Sequence, residues 1–191
     1  MRKSGSNDIR NDIVQVFREY ITYANYLTSE NSYKHALSKL DNLKFTLKDV
    51  SRFTDLIKKE HLTGNANYWT VGLFISAAIN KVIKKDEIFT LESACLGYSI
   101  DCIGYGLEKG KITLHGDAGD YLGENMSGGM ITILGNAGNY VGYAMSGGKI
   151  TIEGNAANHI GTYMSGGTIH VKGQVGSIAK SCKGKICHDD V

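Results

Sequence analysis

Three features are scarce in this sequence of 191 residues: excess charge of one sign, long apolar runs and cysteine. The 21 Lys and Arg residues nearly balance the 19 Asp and Glu residues, so the basic excess of a nucleic-acid-binding protein is missing. The longest apolar stretch, residues 71–79, is interrupted by Gly72 and Ser76 and is too short to cross a bilayer. We therefore expect neither a nucleic-acid partner nor a membrane partner.

Cysteine occurs four times, without the paired spacing of a disulfide-stabilised protein. Residues 1–8 contain no apolar core of a signal peptide. Hydrophobic residues make up 42% of the chain, which is normal for a folded protein and argues against disorder. These observations together favour a folded protein of the reducing cytoplasm.

Glycine is rare in one half of the chain and abundant in the other. Only three of the 24 glycines, Gly5, Gly64 and Gly72, lie within the first 96 residues. Such a shift in composition indicates two architectures. We place the boundary so that residues 1–86 form the first region and residues 87–191 the second.

The first region is predicted to be helical, because its apolar residues recur at steps of three and four. A first helix is capped by Ser6, and its apolar face consists of Ile9, Ile13, Val16, Phe17, Tyr20, Ala24 and Leu27. A short second helix covers residues 33–40, and a third begins at Thr46 or Asp49. Residues 68–83 are apolar on more than one side, which is typical of a helix buried by its neighbours. We expect a small α-helical bundle that caps the second region.

The second region repeats every 19 residues. The segment Met-Ser-Gly-Gly begins at Met126, Met145 and Met164, and three full copies cover residues 116–134, 135–153 and 154–172. A weaker copy precedes them at 97–115, and a shortened copy follows from residue 173. Within each copy two aliphatic residues flank a polar one, which predicts a strand with one buried face. The first of these aliphatic columns contains Ile112, Ile131, Ile150, Ile169 and Ile186.

A period of 19 residues is too short for two helices and a turn, but it suits one coil of a β-solenoid. Equivalent residues would then stack about 4.8 Å apart in parallel ladders. The crossover preference of parallel strands favours a right-handed winding, and the recurring glycines suit turns that need positive φ angles. The sequence predicts a mixed fold: a helical region followed by a right-handed parallel β-helix of about five coils.

The copy at residues 135–153 reads Gly-Asn-Ala-Gly-Asn-Tyr-Val-Gly-Tyr-Ala-Met-Ser-Gly-Gly-Lys-Ile-Thr-Ile-Glu. Together with its neighbours it resembles the glycine-repeat GXGXG family over roughly residues 97–188. That family includes the C-terminal domain of the glutamate synthase large chain, stand-alone glutamate-synthase-like subunits and a structural subunit of formylmethanofuran dehydrogenase.

The resemblance implies a right-handed parallel β-helix that is a structural part of a larger oxidoreductase, with the chemistry on other domains or subunits. It carries over no catalytic residue. Because residues 1–86 do not match the flavin, iron–sulfur or amidotransferase regions of glutamate synthase, the chain looks more like a stand-alone member of the family.

Few residues form a pattern with chemistry of its own. Gly104 and Gly106 lack the third glycine of a dinucleotide-binding turn, so we expect no nucleotide, and no other cofactor is indicated. Cys182, Cys187 and His188 are metal-ligand types, but their spacing is loose and a fourth ligand is missing. We expect buried or edge thiols there in preference to a metal site.

One column contains aromatic side chains, which could form an exposed binding face or pack as a ladder. Packing is the favoured interpretation, because stacked aromatics are ordinary in solenoids. The column consists of Tyr121, Tyr140 and His159, with Tyr105, Tyr143 and Tyr163 nearby in the sequence pattern.

The leading hypothesis is a non-catalytic β-helix scaffold that contacts a protein partner, or a second copy of itself, through one face or end. The alternative is an enzyme or a metabolite sensor with a site at the seam between the helical region and the first coil. The polar candidates for that site are Cys95, Asp101, Cys102 and Tyr105. A shallow seam filled by Trp69, Leu73 and Phe74 would favour the scaffold.

Overall fold

The computed structural model of the chain describes residues 7–60, 68–92 and 99–189. Four helices come first: α1 (Asn7–Ala24), α2 (Ser29–Leu40), α3 (Leu47–Glu60) and α4 (Tyr68–Val82). Six short strands follow: β1 (Ile88–Glu92), β2 (Lys111–His115), β3 (Met130–Ile133), β4 (Lys149–Ile152), β5 (Thr168–Val171) and β6 (Lys185–His188). The strands belong to a parallel β-solenoid of about five turns, so the predicted mixed fold is confirmed.

The helix boundaries follow from local capping. The first helix ends at Ala24, three residues before the predicted Leu27, because Thr28 begins a new helix and accepts a hydrogen bond from the backbone N–H of Asn31. At α3, Thr46 and Asp49 bond to each other's backbone and side chain, as a capping box does. The predicted cap Ser6 lies outside the described residues.

The strands stack in one sheet in the order β1 to β6, and every neighbouring pair is parallel. From β2 to β5 each residue pairs with the one 19 positions later, as in Ile112 with Ile131 and Ile131 with Ile150. The step from β5 to β6 is two residues shorter, because Thr168 pairs with Lys185. The 19-residue winding and the shortened last copy are therefore confirmed.

A rung that the repeat did not predict precedes the others. Strand β1 pairs with β2, so that Phe89 lies beside Ile112 and Leu91 beside Leu114. Its alternation of apolar and polar residues matches the other strands, but the offset to β2 is 23 residues. This longer first connection places the rung outside a fixed period of 19, which is why the period did not reveal it.

The turns are built from left-handed backbone positions. Gly104 and its equivalents in the next three coils have φ angles between 67° and 75°. A side chain at Gly123 would overlap the Ile150 side chain, so this corner needs glycine for space as well as for conformation. A second left-handed column contains no glycine: Cys102, Tyr121, Tyr140 and His159.

The helical region and the solenoid share one continuous apolar core that extends from Ile13 in α1 to Val171 in β5. Helix α3 contacts β1, and α4 lies against the first coil. Within the described ranges none of the helices is long and apolar enough to cross a membrane.

Candidate functional site

The seam between the helical region and the solenoid is formed mainly by α4. Three of its residues, Gly72, Ser76 and Asn80, are spaced by four and therefore lie on one face of the helix. That face meets the backbone of residues 101–105. A Cβ atom at Gly72 would overlap the carbonyl oxygen of Asp101, so glycine permits this close approach.

Hydrogen bonds connect the same helix face to the turn. The Ser76 hydroxyl donates to the carbonyl oxygen of Cys102 (3.0 Å) and accepts from the backbone N–H of Gly104 (3.0 Å). The Asn80 amide donates to the carbonyl oxygen of Tyr105 (2.8 Å). Because α4 satisfies polar backbone groups of the turn, the helix is fixed in register with the first coil.

Glu124 is the most unusual titratable group of the seam. Its side chain is only 6% exposed, and it is hydrogen-bonded to the side chain of Ser29, the first residue of α2. The thiol of Cys102 lies 3.9 Å from Glu124 Oε2 and donates to it. Burial raises the pKa of Glu124 to about 7, although its two hydrogen bonds act in the opposite direction.

Cys102 itself is not activated. The residue is 1% exposed, and burial raises the pKa of its thiol, with a further contribution from the nearby Glu124 charge. A thiol that stays protonated is a poor nucleophile. The pair of Cys102 and Glu124 therefore connects the first coil to α2 without the electronic features of a catalytic dyad.

Tyr105 packs against a tyrosine of the helical region, with the two ring planes tilted by 39°. The ring centroids of Tyr33 and Tyr105 are 4.7 Å apart, and the Tyr105 hydroxyl accepts a hydrogen bond from Asn125 (3.0 Å). Burial raises the pKa of Tyr105 to about 12. Its hydroxyl stays neutral at physiological pH and acts in packing and hydrogen bonding.

Asp101, another predicted seam residue, begins a ladder that climbs the solenoid. Its Oδ1 accepts from the backbone N–H of Asp120 (2.9 Å), and Asp120 in turn accepts from Asn139 (2.7 Å). Desolvation raises the pKa of Asp101, partly offset by that hydrogen bond. The Asp101 carboxylate is therefore occupied by a hydrogen bond to the backbone of the next coil. Cys95 lies outside the described residues.

The three hydrophobic residues proposed to fill the seam are divided between two places. Leu73 packs with Cys102 and Tyr105, and Trp69 lies partly buried against them. Phe74 points the other way, into the helical core, with its ring centroid 5.1 Å from that of Phe17. Of the three residues, Leu73 and Trp69 therefore lie at the seam and Phe74 does not, because adjacent positions on α4 face different neighbours when the helix is buried on several sides.

The seam also contains a cavity of about 190 Å³ between α2, α4 and the turn after Tyr105. The helices contribute Tyr33 and Asn80 to its wall, and the turn contributes Gly106 and Glu108. This cavity is a concave feature of the seam, lined by both polar and apolar side chains, and it is open to a small molecule.

At the other end of the solenoid the candidate ligands are spread over different columns. Cys187 pairs with His170 on the outward-facing polar column, whereas His188 pairs with Val171 of the inward column. The thiol of Cys182 lies 3.9 Å from the Met164 sulfur, as a packing contact does. Among residues 7–60, 68–92 and 99–189 no three His, Cys, Asp or Glu side chains are arranged to hold a metal ion.

The aromatic column forms a true ladder on the outside of the turns. The rings of Tyr121 and Tyr140 are stacked with centroids 4.8 Å apart, and His159 follows at 4.9 Å. Tyr143 and Tyr163 make edge contacts beside them, and Tyr163 is 64% exposed. The rings therefore pack against one another from coil to coil, as predicted, and the outer edge of the ladder is exposed as well, so that packing leaves a binding face open.

Comparisons with protein-family models, with curated proteins and with solved structures found no match. Membership of the GXGXG family therefore stays a prediction drawn from the repeat.

Sequence reasoning missed three residues that define the seam: Ser76, Asn80 and Glu124. Ser76 and Asn80 are polar residues in an otherwise apolar helix, and their spacing of four was the available signal. Glu124 interrupts a column that holds Tyr105 and Tyr143 one coil away on either side. A charged residue in place of an aromatic one marks a position with a different neighbour.

Proposed function

We propose that this chain is a non-catalytic scaffold, a β-helix module that docks a protein partner through the open edge of its aromatic ladder. The observation that carries the proposal is this ladder of stacked rings, bordered by the exposed Tyr163. Exposed aromatic side chains are enriched in protein interfaces, since they contribute large contact areas with few rotatable bonds.

The side chains of the seam also support a non-catalytic function. Its nucleophile candidate Cys102 is a buried protonated thiol, and Asp101 is engaged by the next coil. Glu124 is held between Ser29 and Cys102. These groups join the helical region to the first coil, which is what a rigid docking module requires.

The resemblance to the GXGXG family gives the proposal a more specific form. We propose that the partner is a chain of an oxidoreductase complex of the glutamate synthase or formylmethanofuran dehydrogenase type, in which the chemistry lies outside this chain. In that arrangement the module contributes position and contact area, and the partner contributes the redox centre.

The test uses a double substitution on the docking edge, Tyr140→Asn and Tyr163→Asn. Asparagine suits left-handed backbone, and the position of Tyr163 is occupied by Asn125 two coils earlier with a similar φ angle. We expect the tagged natural chain to be recovered from native extract in a stoichiometric complex. The double variant should be recovered without the partner and still folded by circular dichroism, with a melting temperature lowered by a few degrees because the stacking contacts of Tyr140 are lost.

Lys149→Gln, on the exposed outer face of the sheet, is the matched control and should retain the partner. Recovery of the same complex with the double variant would contradict docking on this edge. Recovery of the natural chain alone, at the mass of a free protein, would contradict the scaffold function.

A further inference from the structure

Neither the backbone conformation nor steric crowding requires glycine at position 106, where glycine leaves the seam cavity open. The corner position occupied by Gly106 holds Asn125, Ala144 and Tyr163 in the following coils, all with φ angles of 53° to 56°. The backbone at this corner therefore accommodates side chains. A Cβ atom at Gly106 would lie 3.7 Å from the Tyr33 hydroxyl, which is an ordinary contact. The missing side chain at Gly106 leaves the cavity open.

Two polar groups of the cavity wall have unused hydrogen-bonding capacity. The Asn80 Nδ2 group donates to the hydroxyl oxygen of Tyr33 (2.7 Å), so the Tyr33 hydroxyl proton remains for another acceptor. The Asn80 Oδ1 atom is buried and has no partner in the described part of the chain. Because this oxygen is closed off from solvent, a ligand in the cavity reaches the Tyr33 hydroxyl and not Asn80 Oδ1.

The rim of the cavity carries adjacent charges of opposite sign. Glu108 and Lys109 are both exposed, and neither forms an ion pair with another described residue. Lys81, which also lines the cavity, is instead held by Asp41 at 2.7 Å. The apolar part of the wall is formed by Leu37 and Ile83. The cavity thus combines one carboxylate and one ammonium group outside ion pairs, the paired Lys81 and a short apolar surface.

We propose that this cavity binds a small aliphatic α-amino acid in its zwitterionic form. The ligand carboxylate is bound by the Lys109 ammonium and the Tyr33 hydroxyl, and its ammonium by the Glu108 carboxylate. Its side chain lies against Leu37 and Ile83. A volume of about 190 Å³ is well below that of a site for a drug-sized ligand, which fits a molecule of this size.

The proposal is independent of the docking edge, since none of its residues belongs to the aromatic ladder. Titration calorimetry of the full chain with L-valine should show saturable binding. Isobutylamine lacks the carboxylate and isovalerate lacks the ammonium, so each should bind about tenfold or more weakly. Equal binding of either analogue would overturn the zwitterion assignment, and no heat with valine at low millimolar concentration would overturn the site.

Variants then locate the binding. Gly106→Asn places a side chain in the cavity and should abolish valine binding, whereas Ala144→Asn makes the matched change at the same corner one turn beyond Asn125 and should leave it intact. Glu108→Gln and Lys109→Gln are exposed changes that preserve the fold and should each weaken valine binding about tenfold. Natural affinity in Gly106→Asn, or in both charge variants, would overturn the proposal.

Discussion

In the helical region, side chains that pack together come from distant parts of the chain, whereas in the solenoid they come from positions one coil apart. The ring of Phe17 in α1 contacts those of Phe53 in α3 and Phe74 in α4, with centroids 5.2 and 5.1 Å away. The ring of Tyr121, in contrast, stacks on that of Tyr140, one repeat later.

The difference shows that the two regions distribute stability differently. A cluster such as that around Phe17 forms only when three helices meet, so it is gained or lost as a unit. The solenoid adds one rung at a time, and each rung supports only its neighbours. The seam joins the two regions through their shared apolar core and through hydrogen bonds from α4 to the backbone of the first coil.

The largest expected effect breaks the solenoid in its centre. Ile150→Asp places a charge in a column that is fully buried between Ile131 and Ile169, at a cost of about 4 kcal/mol or more. Circular dichroism and urea unfolding should show loss of the strands. Thr151→Asp, on the outward face of the same strand, is the control and should remain folded. A stable, fully folded Ile150→Asp protein would contradict the rung model.

The seam is tested by Ser76→Ala. This change leaves the N–H of Gly104 buried without an acceptor and removes one of the two hydrogen bonds to the carbonyl oxygen of Cys102, which keeps that from Tyr105; the cost should be about 2 kcal/mol. Urea unfolding should show the loss of stability, and hydrogen exchange should increase first in α4 and the turn after Cys102. Ser38→Ala, on the exposed side of α2, should stay within about 0.5 kcal/mol of the natural protein. Equal effects of the two changes would mean that the helical region is not fixed through Ser76.

The last expected effect concerns pH, and it is similar in size to that of Ser76→Ala. The folded pKa of Glu124 is about 7, against an ordinary value of 4.5, so the folded state binds this proton more tightly than the unfolded state does. Its contribution is fully present below pH 4.5 and is lost as the pH rises through 7. Since one pKa unit corresponds to about 1.4 kcal/mol and solvent contact reduces the shift, we expect a loss of about 2 kcal/mol between about pH 5 and pH 8.

Cys102, Tyr105 and Tyr121, which interact with Glu124, do not titrate in that range, because burial raises their pKa values further above it. Unfolding free energies of Glu124→Gln should therefore lack this decrease, while those of Glu153→Gln, an exposed control that pairs with Lys172, should keep it. A decrease of the same size in Glu124→Gln would assign the pH dependence to another group.

The solenoid could be predicted from the sequence, because residues separated by one full period of 19 contact each other in the structure. Ile112, Ile131 and Ile150 stack as their spacing of 19 requires. Strand β1 escaped prediction since its 23-residue connection breaks the period, although Phe89 and Leu91 alternate like the other rungs.

The seam was less predictable for a different reason. The positions of Ser76 and Asn80 indicate a polar face on α4. Their partners are backbone atoms of the turn, and backbone atoms are alike in almost every residue type, so a sequence pattern does not identify them. The left-handed angles of Tyr121 and Tyr140 were equally hidden, because a tyrosine at such a position is favoured only once its ring stacks on the next coil.

The constant register from β2 to β5 has a consequence for the length of the molecule. Because the side chain of Asp120 accepts from Asn139 and that of Asn139 accepts from Asn158, each middle coil offers its successor the same set of acceptors. A tandem copy of residues 135–153 would therefore find the hydrogen-bonding partners that it needs in the coil before it and in the coil after it. The chain could grow by about 4.8 Å for each added copy, while α4 and the shortened final coil keep their places at the two ends.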